Sequence, residues 1–187
     1  MTTLYLIRHG KVAAPQGICY GQSDISLKES PSVLAGKIRN KLPKAYALWS
    51  SPLSRCRLIA EELGRPNLDD RLMEMNFGDW EMQSYKAIGR SEIDAWAASP
   101  FHFCPPGGEC VKDMQLRVVE VLAAILADTP DNDIVIVTHA GPIRIIIGQI
   151  LKQNFDQWAY RKIPFGEVIP LNIAKAFCPG DPTVTSP

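Results

Sequence analysis

The sequence predicts an α/β domain with a largely parallel sheet covered by helices on both faces. Apolar runs too short for helices, at residues 4–7, 45–49 and 134–137, read as buried strands. Segments with helical apolar spacing alternate with them, the order of a parallel sheet with helical crossovers. Each run also delivers a cationic or titratable side chain to its C-terminal end, where open α/β sheets place their ligand crevices. These ends are Arg8-His9-Gly10, Ser50-Ser51-Pro52-Leu53-Ser54-Arg55 and Thr138-His139-Ala140-Gly141.

Taken in order, residues 11–30 are rich in Gly, Pro, Ser and Asp and read as a long loop beginning beside His9. Loops of that length in compact domains are usually functional. Tyr20, Gly21, Gln22 and Asp24 either touch a ligand there or belong to a plain surface loop with a turn at Gly21. Val33, Leu34, Ile38 and Leu42 predict a helix over 33–42 that stops at Pro43. Ser51 as N-cap and Pro52 in the first turn predict a helix through Leu63, ended by Gly64. Arg55 then lies in the first turn, where backbone N–H groups and the helix dipole favour an anion; as an isolated residue it would simply be a solvated helix arginine. A short strand over 67–73 leads into Glu74-Met75-Asn76-Phe77-Gly78-Asp79-Trp80-Glu81. A glutamate of this segment, beside apolar residues, is either a general acid or a cap for the helix expected over 84–98.

Residues 100–108 form a second candidate pocket wall, and the aromatics from Trp96 to Phe103 are expected to be exposed, available to a dimer contact or a lid. Val111, Met114, Val118, Val121, Leu122, Ile125 and Leu126 give an amphipathic helix over 109–126. Helices over 141–151 and 154–162 follow, then an edge strand over 168–177 containing Pro170, and a tail expected to fray.

Composition bounds the function. The 187 residues, 1–187, read as one domain without linker or repeat. Twenty lysines and arginines balance twenty aspartates and glutamates, which argues against general affinity for nucleic acid or anionic membrane. No apolar run reaches membrane-spanning length, and the first strand begins within three residues, so neither a membrane span nor a signal peptide is expected. Five cysteines leave one over from any pairing, which fits reduced thiols in a cytoplasm. His102, Cys104 and Cys110 lack the usual zinc spacing, and no metal or cofactor is expected. The Cys-x5-Arg phosphatase loop, the Walker A loop, GxGxxG, HExxH and GxSxG are all missing.

If Arg8, His9, Arg55 and His139 meet at one point, they form a pocket for a dianion, with guanidinium forks matched to phosphate oxygens. Phosphoryl transfer needs charge neutralisation and positioning, which two arginines and a cationic histidine can supply without a metal.

The same residues carry a resemblance. Arg8-His9-Gly10, Ser51-Pro52-Leu53-Ser54-Arg55, Leu72-x-Glu74 running into Phe77-Gly78-Asp79-Trp80-Glu81, Pro106-Gly107-Gly108-Glu109 and Val137-Thr138-His139 resemble, in order, the motifs of the histidine phosphatase superfamily. The resemblance covers residues 4 to about 145. It implies a phosphoglycerate mutase-like three-layer α/β/α sandwich with a mostly parallel central sheet. It also implies that His9 is the nucleophile and forms a phosphohistidine, that Glu74 is the general acid, and that Arg8, Arg55 and His139 hold the phosphate. Tyr20, Gln22 and Ala140 are candidate substrate contacts. Within the superfamily, Glu74 to Met82 and Cys19-Tyr20-Gly21-Gln22-Ser23-Asp24 are most similar to α-ribazole phosphatases, which act in cobalamin nucleotide-loop assembly. The implied partner is a small phosphorylated metabolite. A broad-specificity sugar or carboxylate phosphate phosphatase, a phosphoglycerate mutase and an inactive phospho-ligand binding module remain alternatives. Three positions depart from the family pattern: Lys11 replaces a frequent acid, Pro15 an asparagine that touches phosphate, and Ala140 a frequent glycine.

Overall fold

The computed structural model describes residues 2–174, 177, 179 and 180. Its centre is a five-stranded sheet, ordered β3-β2-β4-β1-β5. The strands are β1 (Thr2–Arg8), β2 (Ala47–Ser50), β3 (Asn67–Leu68), β4 (Ile134–Thr138) and β5 (Val168–Ile173). The first four run parallel, and β5 pairs antiparallel with β1 at the edge. Pro170 is tolerated there because one side of an edge strand needs no ladder donors. Residues 175 and 176, at the end of the strand expected over 168–177, lie outside the described residues, as do Cys178 and residues 181–187 of the tail.

Strand alternation explains the three layers. Leu4 and Leu6 of β1, with Ile134 and Ile136 of β4, face one core, which α5 (Val111–Asp128) and α6 (Ala140–Ile150) cover together with α7 (Phe155–Ala159). Ile7, Val135 and Val137 face the other, under α1 (Pro31–Arg39) and α2 (Ser54–Leu63). All five residues of β4 are buried, as expected of a parallel strand covered on both sides. The predicted α/β/α architecture is therefore observed.

Several local expectations are corrected. The α2 helix starts at Ser54, with Leu53 at the cap position, not at Ser51. Leu53 offers no side-chain acceptor; Asp24 of the long loop accepts from the Ser54 amide at 2.8 Å and hydroxyl at 2.7 Å instead. The strand expected over 67–73 shrinks to two residues, because Asp69 takes the Arg71 amide and initiates a 3-10 turn, Asp70–Leu72. The helix expected over 84–98 is two, α3 (Tyr85–Ile88) and α4 (Arg90–Ala98), broken at Gly89 with φ +96°. The aromatics from Trp96 to Phe103 are not exposed. Phe101 is buried against Phe155, and Trp96 and Phe103 stack against Trp80, so apolar area that would have been free closes over the body instead. No helix among the described residues is long and apolar enough to cross a membrane.

The contact between α6 and α7 passes through Gly148. A Cβ there would stand 2.5 Å from Trp158 Cδ1 and 2.7 Å from its Cγ, and the indole, itself packed on Phe155, cannot swing aside. Gly148→Ala should gain about 1 kcal/mol of helix propensity but lose about 1–3 kcal/mol to overpacking. A lower urea midpoint is expected; a raised midpoint would show that the α6–α7 interface yields.

Candidate active site

Parallel pairing of β1 with β4 sets Arg8 opposite Thr138, and the His9 amide donates to the Thr138 carbonyl at 3.1 Å. On the other side of β4 the Ser51 amide donates to the Val137 carbonyl at 3.0 Å. Three strand ends thus stand side by side, carrying His9, His139 and the turn into Arg55.

The His9 ring is nearly buried, and its Nδ1 lies 2.7 Å from the Gly10 carbonyl. A carbonyl only accepts, so Nδ1 carries the proton and Nε2 keeps its lone pair. Burial, with Arg55 and Arg8 adding to it against the opposing Gly10 carbonyl, pushes the imidazole pKa down to about 3. The ring is therefore neutral and nucleophilic at Nε2.

His139 lies behind it, fully buried, the ring centroids 5.1 Å apart. Arg55 Nε donates to His139 Nδ1 at 3.3 Å, so Nε2 carries the proton and donates to Ser51 Oγ at 2.8 Å. Burial first, then His9 and the cations of Arg55, Arg117 and Arg8, hold its pKa well below the usual histidine value. The cationic His139 expected from the sequence is thus not its resting state; too many positive neighbours surround a dry ring.

Arg55 is fully buried and also donates to the carbonyls of Gly21 and, at 2.7 Å, Ser23. That loop is tied down by Glu81, whose carboxylate accepts from the amides of Gln22 (2.7 Å), Ser23 (2.7 Å) and Phe77 (3.2 Å) and from the Ser23 hydroxyl. Burial works upward on the Glu81 pKa, but these donors together hold it below the usual carboxylate value. Arg8 donates Nη1 to the Ile163 carbonyl and lies 3.8 Å above the Phe165 ring. Its Nε is a buried donor without an acceptor among the described residues. An anion at this point would satisfy it.

Glu74 follows the 3-10 turn, and its two carboxylate oxygens face the Gly141 amide at 3.2 and 3.3 Å, in the first turn of α6. A Cβ at Gly141 would stand 2.2 Å from Glu74 Oε1, so only glycine leaves the carboxylate room.

Arg8, His9, Tyr20, Arg55, Glu74 and Ala140 line one cavity of about 600 Å³. His139 supports His9 and Arg55 from behind, and Gln22 is turned aside to donate to the Glu74 carbonyl at 3.1 Å. Of the second wall expected over 100–108, Pro100 lines the cavity; the remaining walls include Ile18, Tyr85, Phe155, Trp158, Tyr160 and Arg144, which the sequence reading passed over, and Phe77, Trp96 and Met114, which it named without placing them in the pocket. Arg144 had a visible signal, being the lone charge in the otherwise apolar α6. Glu81 and Glu109, which help hold the site's loops, stood in the quoted motifs without an assigned role, and Arg117 had no signal beyond its charge.

Thiols and a carboxylate do gather elsewhere. Cys104, Cys110 and Asp113 have ligand atoms within 4.8 Å of one another, the Cys110 thiol donating to Asp113 at 3.0 Å. Asp113 replaces His102 in the group considered from the sequence, because the capping box of α5 folds it back onto Cys110. None of the three lines the cavity.

With this geometry in place, the family model described as histidine phosphatase superfamily (branch 1) matches residues 4–176. The chain belongs to that superfamily. It is 27% identical to the adenosylcobalamin/α-ribazole phosphatase of Salmonella typhimurium, over 79% of each chain. It is 28% identical to the glucosyl-3-phosphoglycerate phosphatase of Mycobacterium tuberculosis, over 83% of this chain and 78% of that one. Mouse 6-phosphofructo-2-kinase/fructose-2,6-bisphosphatase 1 is 25% identical, and the match takes in 90% of this chain but only 37% of that protein's length. The solved α-ribazole phosphatase of Shigella flexneri shares the fold, with a TM-score of 0.85 at 24% identity over 94% of this chain and 93% of that one. Membership supports a phosphatase or mutase, and the names of the phosphatases it is similar to refer, for those proteins, to small phosphorylated compounds.

Both histidines are buried as neutral rings, and unfolding returns them to an ordinary value of 6.5. For His9, the unfolded chain therefore binds more protons between about pH 3 and 6.5, and stability falls as pH is lowered through that window. The urea midpoint should drop from about pH 7 to about pH 5, and drop less in His9→Gln. Parallel pH slopes for the two proteins would contradict the buried neutral ring.

Proposed function

We propose that this protein is a metal-independent phosphomonoesterase that works through a phosphohistidine, and that its substrate is α-ribazole 5′-phosphate or its cobamide form. His9 Nε2 forms the N–P bond as the ester P–O bond breaks. Glu74 gives its proton to the departing alkoxide, then takes one from the water that attacks phosphorus, releasing phosphate and restoring His9. Arg8 and Arg55 hold the equatorial oxygens, and an arriving dianion favours the protonated form of His139 as a third positive group.

The observation that carries the substrate reading is the aromatic lining of the cavity. Tyr20, Phe77, Tyr85, Trp96, Phe155, Trp158 and Tyr160 face a cavity large enough for a nucleoside. Such a wall suits a flat, apolar leaving group such as the base of α-ribazole, through ring stacking and burial. The Salmonella relative's name supports the same choice. Arg144 favours a second reading. Half-buried on this wall with its Nε on the Arg161 carbonyl at 2.7 Å, it would suit a leaving group bearing a carboxylate, as in phosphoglycerates.

Phosphate release in EDTA from α-ribazole 5′-phosphate, 3-phosphoglycerate and 4-nitrophenyl phosphate separates these readings. A preference of about a hundredfold in kcat/KM for the ribazole ester, about 2.7 kcal/mol, is expected, falling about tenfold in Trp96→Ala. A preference for 3-phosphoglycerate that collapses in Arg144→Met would favour the second reading, and dependence on a bisphosphate primer would make it a mutase. His9→Ala should form no acid-labile phosphoenzyme. Gly141→Ala should fold normally yet lose about a hundredfold on alkyl esters, because its methyl displaces the Glu74 carboxylate; native turnover by this variant would remove Glu74 from the mechanism.

A further inference from the structure

Glu74 stands on a segment without regular structure, between the 3-10 turns Asp70–Leu72 and Gly78–Trp80. Helix and sheet hydrogen bonds therefore do not fix its backbone, yet a general acid misplaced by about 1 Å costs about a hundredfold in rate. Gln22 supplies one bond to the Glu74 carbonyl from the long loop, and most of the others come from one side chain of α5. Arg117 Nη1 donates to the carbonyls of Arg71 at 2.8 Å and Met73 at 2.7 Å, and Nη2 donates to the carbonyl of Glu74 itself at 2.9 Å. The same guanidinium forks onto Glu109, with Nε at 3.0 Å and Nη2 at 2.6 Å. Glu109 Oε1 then accepts the amide of Asn76 at 2.8 Å. A single ion pair, both partners less than a fifth exposed, thus grips the backbone on either side of Glu74. Neither partner lines the cavity.

We propose that the Glu109–Arg117 ion pair is a positioning device for the general acid, keeping the Glu74 carboxylate at the Gly141 amide where the leaving oxygen departs. This rests on the reading of Glu74 as the acid. A pair that merely braced the fold would also be destabilising to break, but its loss would affect all substrates alike. Loss of acid positioning would instead penalise only esters whose leaving group needs a proton. Lysine at position 117 keeps the positive charge that bears on His139, but a single ammonium cannot span three carbonyls and a carboxylate.

The test compares Arg117→Lys and Glu109→Gln with the native enzyme and Glu74→Gln, using 4-nitrophenyl phosphate and an alkyl phosphate, with melting temperatures recorded. In kcat/KM, which reads only the steps through phosphohistidine formation and not its hydrolysis, both clamp variants should stay within about threefold of native on the aryl ester and lose about thirtyfold or more on the alkyl ester, reproducing the steep leaving-group dependence of Glu74→Gln. Equal losses on both esters, or none, while Glu74→Gln remains selective, would overturn the positioning role alone. If Glu74→Gln itself slows both esters equally, the acid assignment falls and the positioning role with it.

Discussion

The active site depends on the parallel pairing of β1 with β4 at the middle of the sheet. This ladder brings residues about 130 positions apart into register, so that His9 bonds to the carbonyl preceding His139. Every residue of β4 is buried, and so are Leu4, Leu6 and Ile7 of β1, which leaves little freedom for either histidine backbone. A slip of one residue would turn each strand's apolar set to the wrong core and carry the two rings apart. Stability and the geometry of the candidate site therefore share one constraint, the register of two adjacent strands.

The electrostatics follow from how the cations are buried. Among the described residues neither Arg8 nor Arg55 forms an ion pair; their partners are backbone carbonyls, the His139 ring and the Phe165 face. Carbonyl dipoles make burial tolerable without cancelling the charge, so the positive field stays available for a dianion. The same field, added to desolvation, keeps His9 unprotonated and hence nucleophilic. Carboxylates do appear close by, but each has a mechanical task. Glu81 ties down the loop that feeds Arg55, and Glu109 ties Arg117 to the Glu74 segment. Only Glu74 among them lines the cavity. Charge is thus divided between a cationic floor of the cavity and an anionic frame around it.

The site was partly legible in advance because its chemistry is concentrated at strand ends. Arg8, His9, Arg55 and His139 stand out as charged or titratable residues closing apolar runs, and period and turn signals suffice to place them. Gln22 misled because position in a loop says nothing of where an amide turns; here it supports the Glu74 carbonyl. Ser51 misled because a helix start was read from local capping preferences, while the actual acceptor, Asp24, arrives from a loop thirty residues earlier. Trp96 and Phe103 were expected outside, yet ring packing on Trp80, a residue distant from both in sequence, folds them inward.

The sequence by itself determined the layer order, the strand ends that carry the reacting groups, and membership of a phosphoryl-transfer family, since these follow from periodicity and from residues adjacent in the chain. Tertiary structure alone decided the protonation of the two histidines, the aromatic wall of the cavity, and the Glu109–Arg117 hold on Glu74. Each of these arises from groups far apart in sequence. A pKa, a cavity and a clamp are properties of distances and burial, and no one-dimensional pattern contains them.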